Sequence, residues 1–382
     1  MLRPMPEKPD EVRDLLEELY GDLAKEPMSP HQRVQTAIER RSPDRVPFDF
    51  WAIPEERRKL RDYLGVGSDE EVLRLLGIDC RMVVPSYVGP APIDLGDGTY
   101  VDALGTHRRP QLNEFCQYEE YARFPLSEAQ TVAEVENYPY WPKPEYWDVS
   151  DLHAQIADLN HQYRYHLRYE VGGIFEFAWG LYGFDNFLRK MATGDMDIPN
   201  AIMACLTEIY TKNTIRVLEA AGGQIDMVYT YDDIGMQTNL IMSVDMWRKY
   251  ILPWHLQLNA ALREYEVLIM YHSCGAIYPL IGPLVDEMGI DVLNPLQPRA
   301  KGMDMARIKH EFGHKLAFHG GIDLQYTLPH GTPAEVQAEV IDRCRVLGNR
   351  GGYICTSAHY LQADVPVENV AAMYITPRTV PG

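Results

Sequence analysis

A histidine and a cysteine two residues apart give the clearest chemical signal in this chain of 382 residues. His272 and Cys274 follow the apolar run 267–270, which predicts a short buried strand. An imidazole nitrogen and a thiolate sulfur suit Zn²⁺, with further ligands supplied from elsewhere in the chain. The alternative interpretation is an ordinary buried cysteine beside a histidine that caps a backbone group.

Apolar runs alternate with helical patterns along most of the chain. The runs predict eight strands, at 46–51, 81–84, 170–177, 225–230, 267–271, 290–293, 315–319 and 352–356. Helical patterns separate the later runs, at 199–221, 244–263, 277–288, 303–312 and 333–347. This alternation predicts an α/β fold, a single (β/α)₈ barrel.

Two further segments flank or interrupt the predicted barrel. Amphipathic helical patterns near the start predict a helical extension over residues 1–40, so that the barrel domain covers 41–382. The stretch 96–150 is rich in proline, tyrosine and tryptophan and does not fit the alternation. We expect it to form a long insertion before the third strand, with a hairpin near 100–109.

The working groups of a barrel lie at the carboxyl ends of its strands. Polar side chains that follow the predicted strands should therefore meet at one mouth: Asp232, Asp233, His272, Cys274, Asn294, His319, Cys355 and His359. We expect Asn294 and His319 to contact substrate. Cys355 and His359 would supply the further metal ligands, although Cys355 could equally fill the core and His359 could cap a helix.

Three acidic residues are predicted to take part in the chemistry. Glu176 closes the third apolar run, and burying a carboxylate without a partner is costly. It could serve as a base, a metal ligand or an anchor for substrate. Asp232 and Asp233 cannot both face one point from adjacent positions. One should face the mouth, and the other should anchor the turn at 234–235.

The overall composition limits the classes of partner. The formal net charge is -19, which argues against nucleic acid and anionic membranes and favours a small-molecule substrate. The six cysteines form no CxxC pair, and neither a signal peptide nor a membrane span is evident. We therefore expect a cytoplasmic protein with reduced thiols. A homodimer is compatible with the sequence.

Several segments together resemble the uroporphyrinogen decarboxylase superfamily over about residues 29 to 374. They are residues 41–47, 232–237, 272–275, 291–295, 320–323 and 351–366. The superfamily has a decarboxylase branch and a branch of corrinoid-linked methyltransferases. Its decarboxylases carry an arginine-rich motif that grips substrate carboxylates. Residues 48–52 of this chain lie at that position and contain no arginine, so the chain is more similar to the methyltransferases.

The resemblance to the methyltransferase branch implies a zinc site and a reaction. Zinc would be held by His272, Cys274 and a late ligand, whose position in the family falls on His359, four residues after Cys355. The implied reaction is zinc-assisted transfer of a methyl group from a methoxylated, possibly aromatic, compound to the cobalt of a corrinoid. A partner protein would carry that corrinoid.

The same resemblance implies roles for several other side chains. Glu176 or Asp232 would position the substrate or supply a proton. An aromatic wall would come from Trp179, Tyr182, Tyr229 and Tyr231. Two alternatives remain open: a metal-independent lyase of the decarboxylase type on the same scaffold, and a protein that binds a ligand at the barrel mouth without catalysis.

Overall fold

A curled parallel sheet of seven strands forms the centre of the fold, seen in a computed structural model that describes residues 4–376. Each strand pairs with its neighbours in chain order. The strands are β1 (Cys80–Val83), β2 (His166–Gly173), β3 (Met227–Tyr231), β4 (Leu268–His272), β5 (Val292–Leu296), β6 (Ala317–Ile322) and β7 (Tyr353–Ser357). The predicted α/β class is confirmed.

The predicted closed barrel of eight strands is confirmed only in part, because the run 46–51 forms no regular strand. Phe48 makes an isolated parallel bridge with Cys355 of β7. On its other side, the Phe48 carbonyl accepts a hydrogen bond of 2.9 Å from the N–H of Asp79. Pro47 has no N–H to contribute to a ladder. The sheet is therefore a half-barrel, with an irregular segment between its last and first strands.

The second sheet strand lies four residues earlier than the sequence predicted. The predicted run was 170–177, but β2 ends at Gly173, and the helix Ile174–Tyr182 begins at once. Glu176 consequently lies in the first turn of that helix and not at a strand end. A largely apolar run without a clear period fits a strand and a helix equally well, and here it contains parts of both.

The other predicted strands overlap the observed ones, and the predicted helices are present, two of them divided. The predicted helix 244–263 divides at Ile251, and 277–288 continues from an α-helix into a π-helix. The α-helices are Pro9–Tyr20, Pro30–Ile38, Pro54–Leu64, Asp69–Leu75, Val132–Glu136, Leu152–Leu159, Ile174–Tyr182, Phe184–Thr193, Asp197–Ala221, Val244–Tyr250, Leu252–Arg263, Tyr278–Pro283, Met305–Phe312, Thr327–His330, Pro333–Leu347 and Val367–Ile375. Shorter helical turns are Leu23–Lys25, Pro144–Tyr146 and Leu284–Met288. Within residues 4–376, no helix is long and apolar enough to cross a membrane.

Capping residues explain two of the sharpest helix starts. The Ser29 hydroxyl accepts from the N–H of Gln32, and the Gln32 side chain accepts from the N–H of Ser29. Thr332 and Glu335 make the same reciprocal pair before the helix Pro333–Leu347. Each capping box satisfies N–H groups that the first helical turn cannot pair internally. A proline follows each cap, where its fixed φ suits the first helical turn.

The insertion between β1 and β2 contains its own small sheets. Four antiparallel strands follow one another at Ile93–Asp94, Tyr100–Val101, His107–Leu112 and Gln117–Arg123. The predicted hairpin near 100–109 is therefore present. A second antiparallel pair joins Ser86–Tyr87 to Trp147–Asp148. Tyr121 packs against Trp179, so the insertion contacts the helix that follows β2.

A buried ionic network fixes the amino end of the sheet. Asp79, just before β1, accepts hydrogen bonds from Arg33 at 2.6 Å and from Arg45 at 2.8 Å. Arg33 also binds Asp44, and Arg45 binds Glu26. Both guanidinium groups are almost completely buried. The network joins the first helices to the irregular segment that precedes β1.

Two apolar clusters lie on opposite faces of the sheet. A large cluster fills the space between strands and helices, and it includes Cys355. A smaller cluster lies inside the curl and includes Trp51, Tyr229, Met270 and Ile354. Successive strand residues face opposite sides. In β7, Ile354 therefore faces the interior of the curl, whereas Cys355 faces the helices.

Candidate metal centre

Three side chains with metal-binding atoms converge at the carboxyl end of the sheet. The ligand atoms of His272, Cys274 and His359 all lie within 4.8 Å of one another. The Cys274 Sγ lies 3.3 Å from the His272 Nε2, and the rings of the two histidines are 5.5 Å apart. His272 is buried, Cys274 is half-buried and His359 is exposed. The cluster is thus anchored in protein on one side and open on the other.

Close backbone packing holds the loop that carries Cys274. A Cβ atom on Gly235 would lie 2.3 Å from the Cys274 carbonyl oxygen, and one on Gly275 would lie 2.6 Å from the Gly235 carbonyl carbon. Gly275 also has a φ of 91°, in the region that favours glycine. The Asp233 carboxylate accepts the Cys274 N–H at 2.7 Å. The glycines therefore allow two loops to touch and set the position of Cys274.

A chain of buried side chains behind His272 fixes the orientation of its ring. The His272 Nδ1–H donates to the Asn294 Oδ1 at 2.5 Å. The Asn294 Nδ2 in turn donates to the His319 Nδ1 at 2.5 Å. Because an amide oxygen only accepts, a neutral His272 keeps its proton on Nδ1. Its Nε2 lone pair is then directed toward Cys274, as a metal ligand requires.

Asp49 is the far end of that chain. It accepts from the His319 Nε2 at 2.9 Å and from the Trp51 indole N–H at 2.7 Å, and it pairs with Arg168. Burial would raise the pKa of the Asp49 carboxyl, but the Arg168 charge and the His319 hydrogen bond hold it well below its usual range. The ionised Asp49 carboxylate accepts the Nε2–H of His319. The Nδ1 of a neutral His319 is therefore unprotonated and accepts from Asn294.

The two adjacent aspartates face different ways. The Asp233 Oδ1 lies 3.5 Å from the His272 Nε2, beside the metal-binding atoms. Asp232 is fully buried and turns away from them. It accepts the Glu176 N–H at 2.8 Å and pairs with the His255 Nε2 at 2.6 Å. Asp232 therefore holds the first turn of the helix that carries Glu176.

Neighbouring charges shift the pKa values of Glu176 and Asp233 in opposite directions. Burial and the charges of Asp233 and Asp232 raise the pKa of Glu176 to about 7. Burial also acts on Asp233, but the hydrogen bond and charge that His272 supplies in its protonated form, together with the Cys274 N–H, lower the pKa of Asp233. Near neutral pH, one of these two acids can hold a proton while the other is ionised, an arrangement suited to acid–base chemistry.

The structure separates the predicted late ligands. His359 lies with His272 and Cys274, whereas Cys355 is fully buried on the helix side of β7 and lies outside this cluster. Strand alternation explains the separation, because Ile354 occupies the inward position next to Cys355. His359 follows the strand in a loop, where its side chain can turn back over the mouth.

The predicted substrate-binding residues lie in several places. The Tyr229 ring lies 6.0 Å from that of His272 and 5.5 Å from that of Tyr231, so Tyr229 adjoins His272 and Tyr231 lies next to Tyr229. Trp179 packs against aromatic rings of the insertion and of the following helix, and Tyr182 is buried in the outer core. Asn294 and His319 are buried behind His272.

The sequence interpretation missed three residues of the curl interior and its rim, namely Arg168, Glu170 and Trp51. Arg168 pairs with Asp49, and Glu170 lies two residues further along β2. A charged residue at every second position of an apolar strand would have been the signal. The predicted strand began at Glu170, which concealed that alternation. Trp51, whose ring lies 5.1 Å from that of Tyr229, was likewise not singled out.

Comparison with solved structures shows the same fold elsewhere. A methyltransferase from Methanosarcina mazei superposes with a TM-score of 0.60, covering 91% of this chain and 97% of that chain, at 16% sequence identity. A likeness at this identity shows a common fold and does not by itself transfer an activity. A comparison with curated protein sequences gave no match.

The sequence itself identifies the family. The family model for uroporphyrinogen decarboxylase (URO-D) matches residues 159–379, more than half of the chain. This chain belongs to the uroporphyrinogen decarboxylase family. The matched region contains β2 to β7 and all three residues of the candidate metal centre.

Proposed function

We propose that this protein is a zinc-dependent methyltransferase. It takes a methyl group from a methoxylated aromatic compound and delivers it to the cobalt of a corrinoid on a partner protein. The observation that carries the proposal is the convergence of His272, Cys274 and His359, whose ligand atoms lie within 4.8 Å of one another. Family membership and the fold shared with a methyltransferase support the same class of reaction.

The donor set fits a catalytic zinc ion. Two imidazoles and one thiolate are preferred zinc ligands, and catalytic sites typically use three protein ligands with a fourth position open. His359 is exposed, which leaves that fourth position reachable from solvent. Asn294 holds His272 in the tautomer that a ligand needs. When bound, Zn²⁺ would supply Lewis-acid polarisation of an ether oxygen.

The surrounding side chains supply positioning and a proton. The departing methyl group leaves a phenolate oxygen, which must finally take up a proton. Glu176 holds one near neutral pH because its pKa is raised to about 7. Asp232 holds the backbone of Glu176 in place, and the rings of Tyr229 and Tyr231 form an aromatic wall beside His272.

Metal content and methyl transfer test the proposal separately. Purified protein should contain about one zinc per chain, and His272→Ala, Cys274→Ala and His359→Ala should each lose most of it. His310→Ala is the matched control, since His310 is exposed and remote from the cluster. Added cob(I)alamin should become methylated from a methoxylated aromatic compound only with the metal-loaded protein.

Two results would reject the proposal. The assignment of the metal site is wrong if the wild-type protein binds no zinc, or if the three variants retain as much zinc as His310→Ala does. Loss of carboxylate as carbon dioxide, with no methylation of cob(I)alamin and no effect of metal removal, would identify the metal-independent lyase instead.

A further inference from the structure

We infer that a cavity beside the metal centre is the substrate pocket, and that it accepts an uncharged aromatic ring and rejects ligands that carry a carboxylate. The inference rests on the proposed function and specifies its substrate class. The cavity has a volume of about 360 Å³ and lies between β2, the insertion and the helix Asp197–Ala221. An apolar cavity of about 150 Å³ holds benzene, so this one accommodates a substituted ring.

The lining is aromatic and aliphatic. Five aromatic side chains contribute to it: Trp147, Tyr169, Phe177, Tyr210 and Tyr231. Glu170 is the one charged side chain among the described residues that line the cavity. Flat rings bind well between aromatic side chains, whose faces and edges pack against them. A lining with no lysine, arginine or histidine offers no counter-charge to an anion.

The backbone of β2 is shaped to form this cavity. The register between β2 and β3 shifts between Glu170 and Gly172, which indicates a bulge. Gly172 has a φ of 133°, and a Cβ atom there would lie 2.7 Å from the Tyr210 ring. Glycine therefore lets Tyr210 cover the bulged strand. Glu170 lies at this bulge and lines the cavity.

Tyr231 connects the cavity to the metal centre. It lines the cavity and pairs in register with His272 on the neighbouring strand. Its ring lies 5.5 Å from that of Tyr229, which in turn lies 6.0 Å from that of His272. A ring held against Tyr231 can therefore direct a short substituent such as a methoxy group toward the ligand atoms.

Glu170 makes the pocket selective by charge. Desolvation raises the pKa of Glu170, whereas the charge of Arg168 and a hydrogen bond from Tyr231 stabilise its carboxylate. An uncharged ring leaves this balance intact. A ligand carboxylate would bring a second negative charge into an apolar space without a new partner, which is unfavourable.

A matched series of ligands tests the pocket without corrinoid or turnover. The probes are methoxybenzene, para-methoxybenzoate and para-methoxybenzylammonium, titrated into the full-length protein by isothermal calorimetry. Methoxybenzene should bind most tightly, and the benzoate at least about tenfold more weakly. Equal or tighter binding of the benzoate overturns the inference. Tightest binding of the ammonium probe also overturns it, because Glu170 would then act as a counter-ion.

Two variants assign the selectivity to this cavity. Glu170→Gln should raise the affinity for para-methoxybenzoate severalfold and leave that for methoxybenzene nearly unchanged. Glu208→Gln is the matched control, because Glu208 is exposed on the outer side of the same helix that lines the cavity. Leu206→Trp should fill the cavity and weaken methoxybenzene binding. An unchanged preference in Glu170→Gln contradicts the inference, even if Leu206→Trp fails to fold.

The outcomes separate this inference from the proposed function. Binding of methoxybenzene with the expected charge preference, but without methyl transfer to cob(I)alamin, supports the pocket and rejects the methyltransferase. Methyl transfer from para-methoxybenzoate as efficient as from methoxybenzene supports the methyltransferase and rejects the pocket.

Discussion

The side-chain oxygen of Asn294 lies 2.5 Å from the Nδ1 of His272, inside the curl of the sheet and away from solvent. This contact decides which ring nitrogen of His272 is available to a metal. The same amide donates to His319, which in turn donates to Asp49, so the contact also links the His272 ring to these two side chains. The candidate ligand is therefore supported by three buried side chains, none of which belongs to the candidate ligand set.

Removing the Asn294 amide should weaken zinc binding without abolishing the fold. Loss of such an outer partner typically costs about 10–100-fold in metal affinity. Asn294→Ala should show a loss of that order in competition with a chelator of known affinity. Asn259→Ala is the control, because Asn259 is also buried and donates to a backbone carbonyl far from the site. Equal zinc affinity in the two variants would refute the role of Asn294.

A side chain at Gly275 should disturb the metal centre as well as the fold. Gly275→Ala combines a positive φ with a Cβ contact of 2.6 Å to a backbone atom. Gly289→Ala has a similar positive φ of 73° but open space around the new methyl group. We expect Gly289→Ala to cost about 1 kcal/mol of unfolding free energy and to keep its zinc. Gly275→Ala should cost more and lose zinc, as measured by denaturant unfolding and metal analysis.

Neutralising Asp79 should destabilise the protein strongly. Its carboxylate accepts from Arg33 and Arg45 and from the N–H of Phe48, all in a buried setting. Asp79→Asn leaves two buried guanidinium groups with one fewer counter-charge. Breaking a buried pair in this way costs about 3–5 kcal/mol, measurable by urea unfolding.

The control for Asp79 is an exposed ion pair. Glu39→Gln removes a carboxylate that pairs with Arg41 at the surface, where such pairs contribute little. If Asp79→Asn is no less stable than Glu39→Gln, the buried network does not stabilise the fold as proposed.

Stability should fall as the pH drops from about 6.5 to about 4 because of His166. Its ring is fully buried, neither nitrogen has a hydrogen-bond partner, and burial lowers its pKa to about 4. In the unfolded chain, His166 binds a proton near pH 6.5. In the folded protein, it binds that proton only near pH 4. His166 therefore contributes a loss of roughly 1.4 kcal/mol per pH unit in that window.

Substitution of His166 tests that contribution. His166→Leu should have a shallower decline of unfolding free energy between these pH values than the wild-type protein. His161→Gln should keep the wild-type decline, since His161 is exposed. A slope in His166→Leu that equals the wild-type slope would show that His166 does not titrate on unfolding.

Local signals in the sequence predicted much of this fold. The helix that starts after Thr332 was readable because its cap, its proline and its glutamate act within one turn. The strand before His272 was readable from a short apolar run with a clear end. These features depend on neighbours in the chain, so they do not need the rest of the structure.

Other features depended on contacts between distant parts of the chain. The choice between Cys355 and His359 required knowing which face of β7 points inward, and every residue of that strand is buried. The run 170–177 gave no periodicity that separates strand from helix. The interruption at Pro47 became evident only where the first segment meets β7. None of these outcomes is encoded within a few neighbouring residues.

The insertion between β1 and β2 supplies Leu104 and Trp147 to the wall of the cavity, whereas the metal-binding side chains all come from β4 and the loops that follow β4 and β7. Part of the wall of the proposed pocket is thus encoded in a stretch of the gene separate from those that encode the candidate metal ligands. Exchange or trimming of the insertion would alter which compounds enter without touching the reactive groups. Such modularity would let one scaffold acquire new substrates through changes in a single loop region.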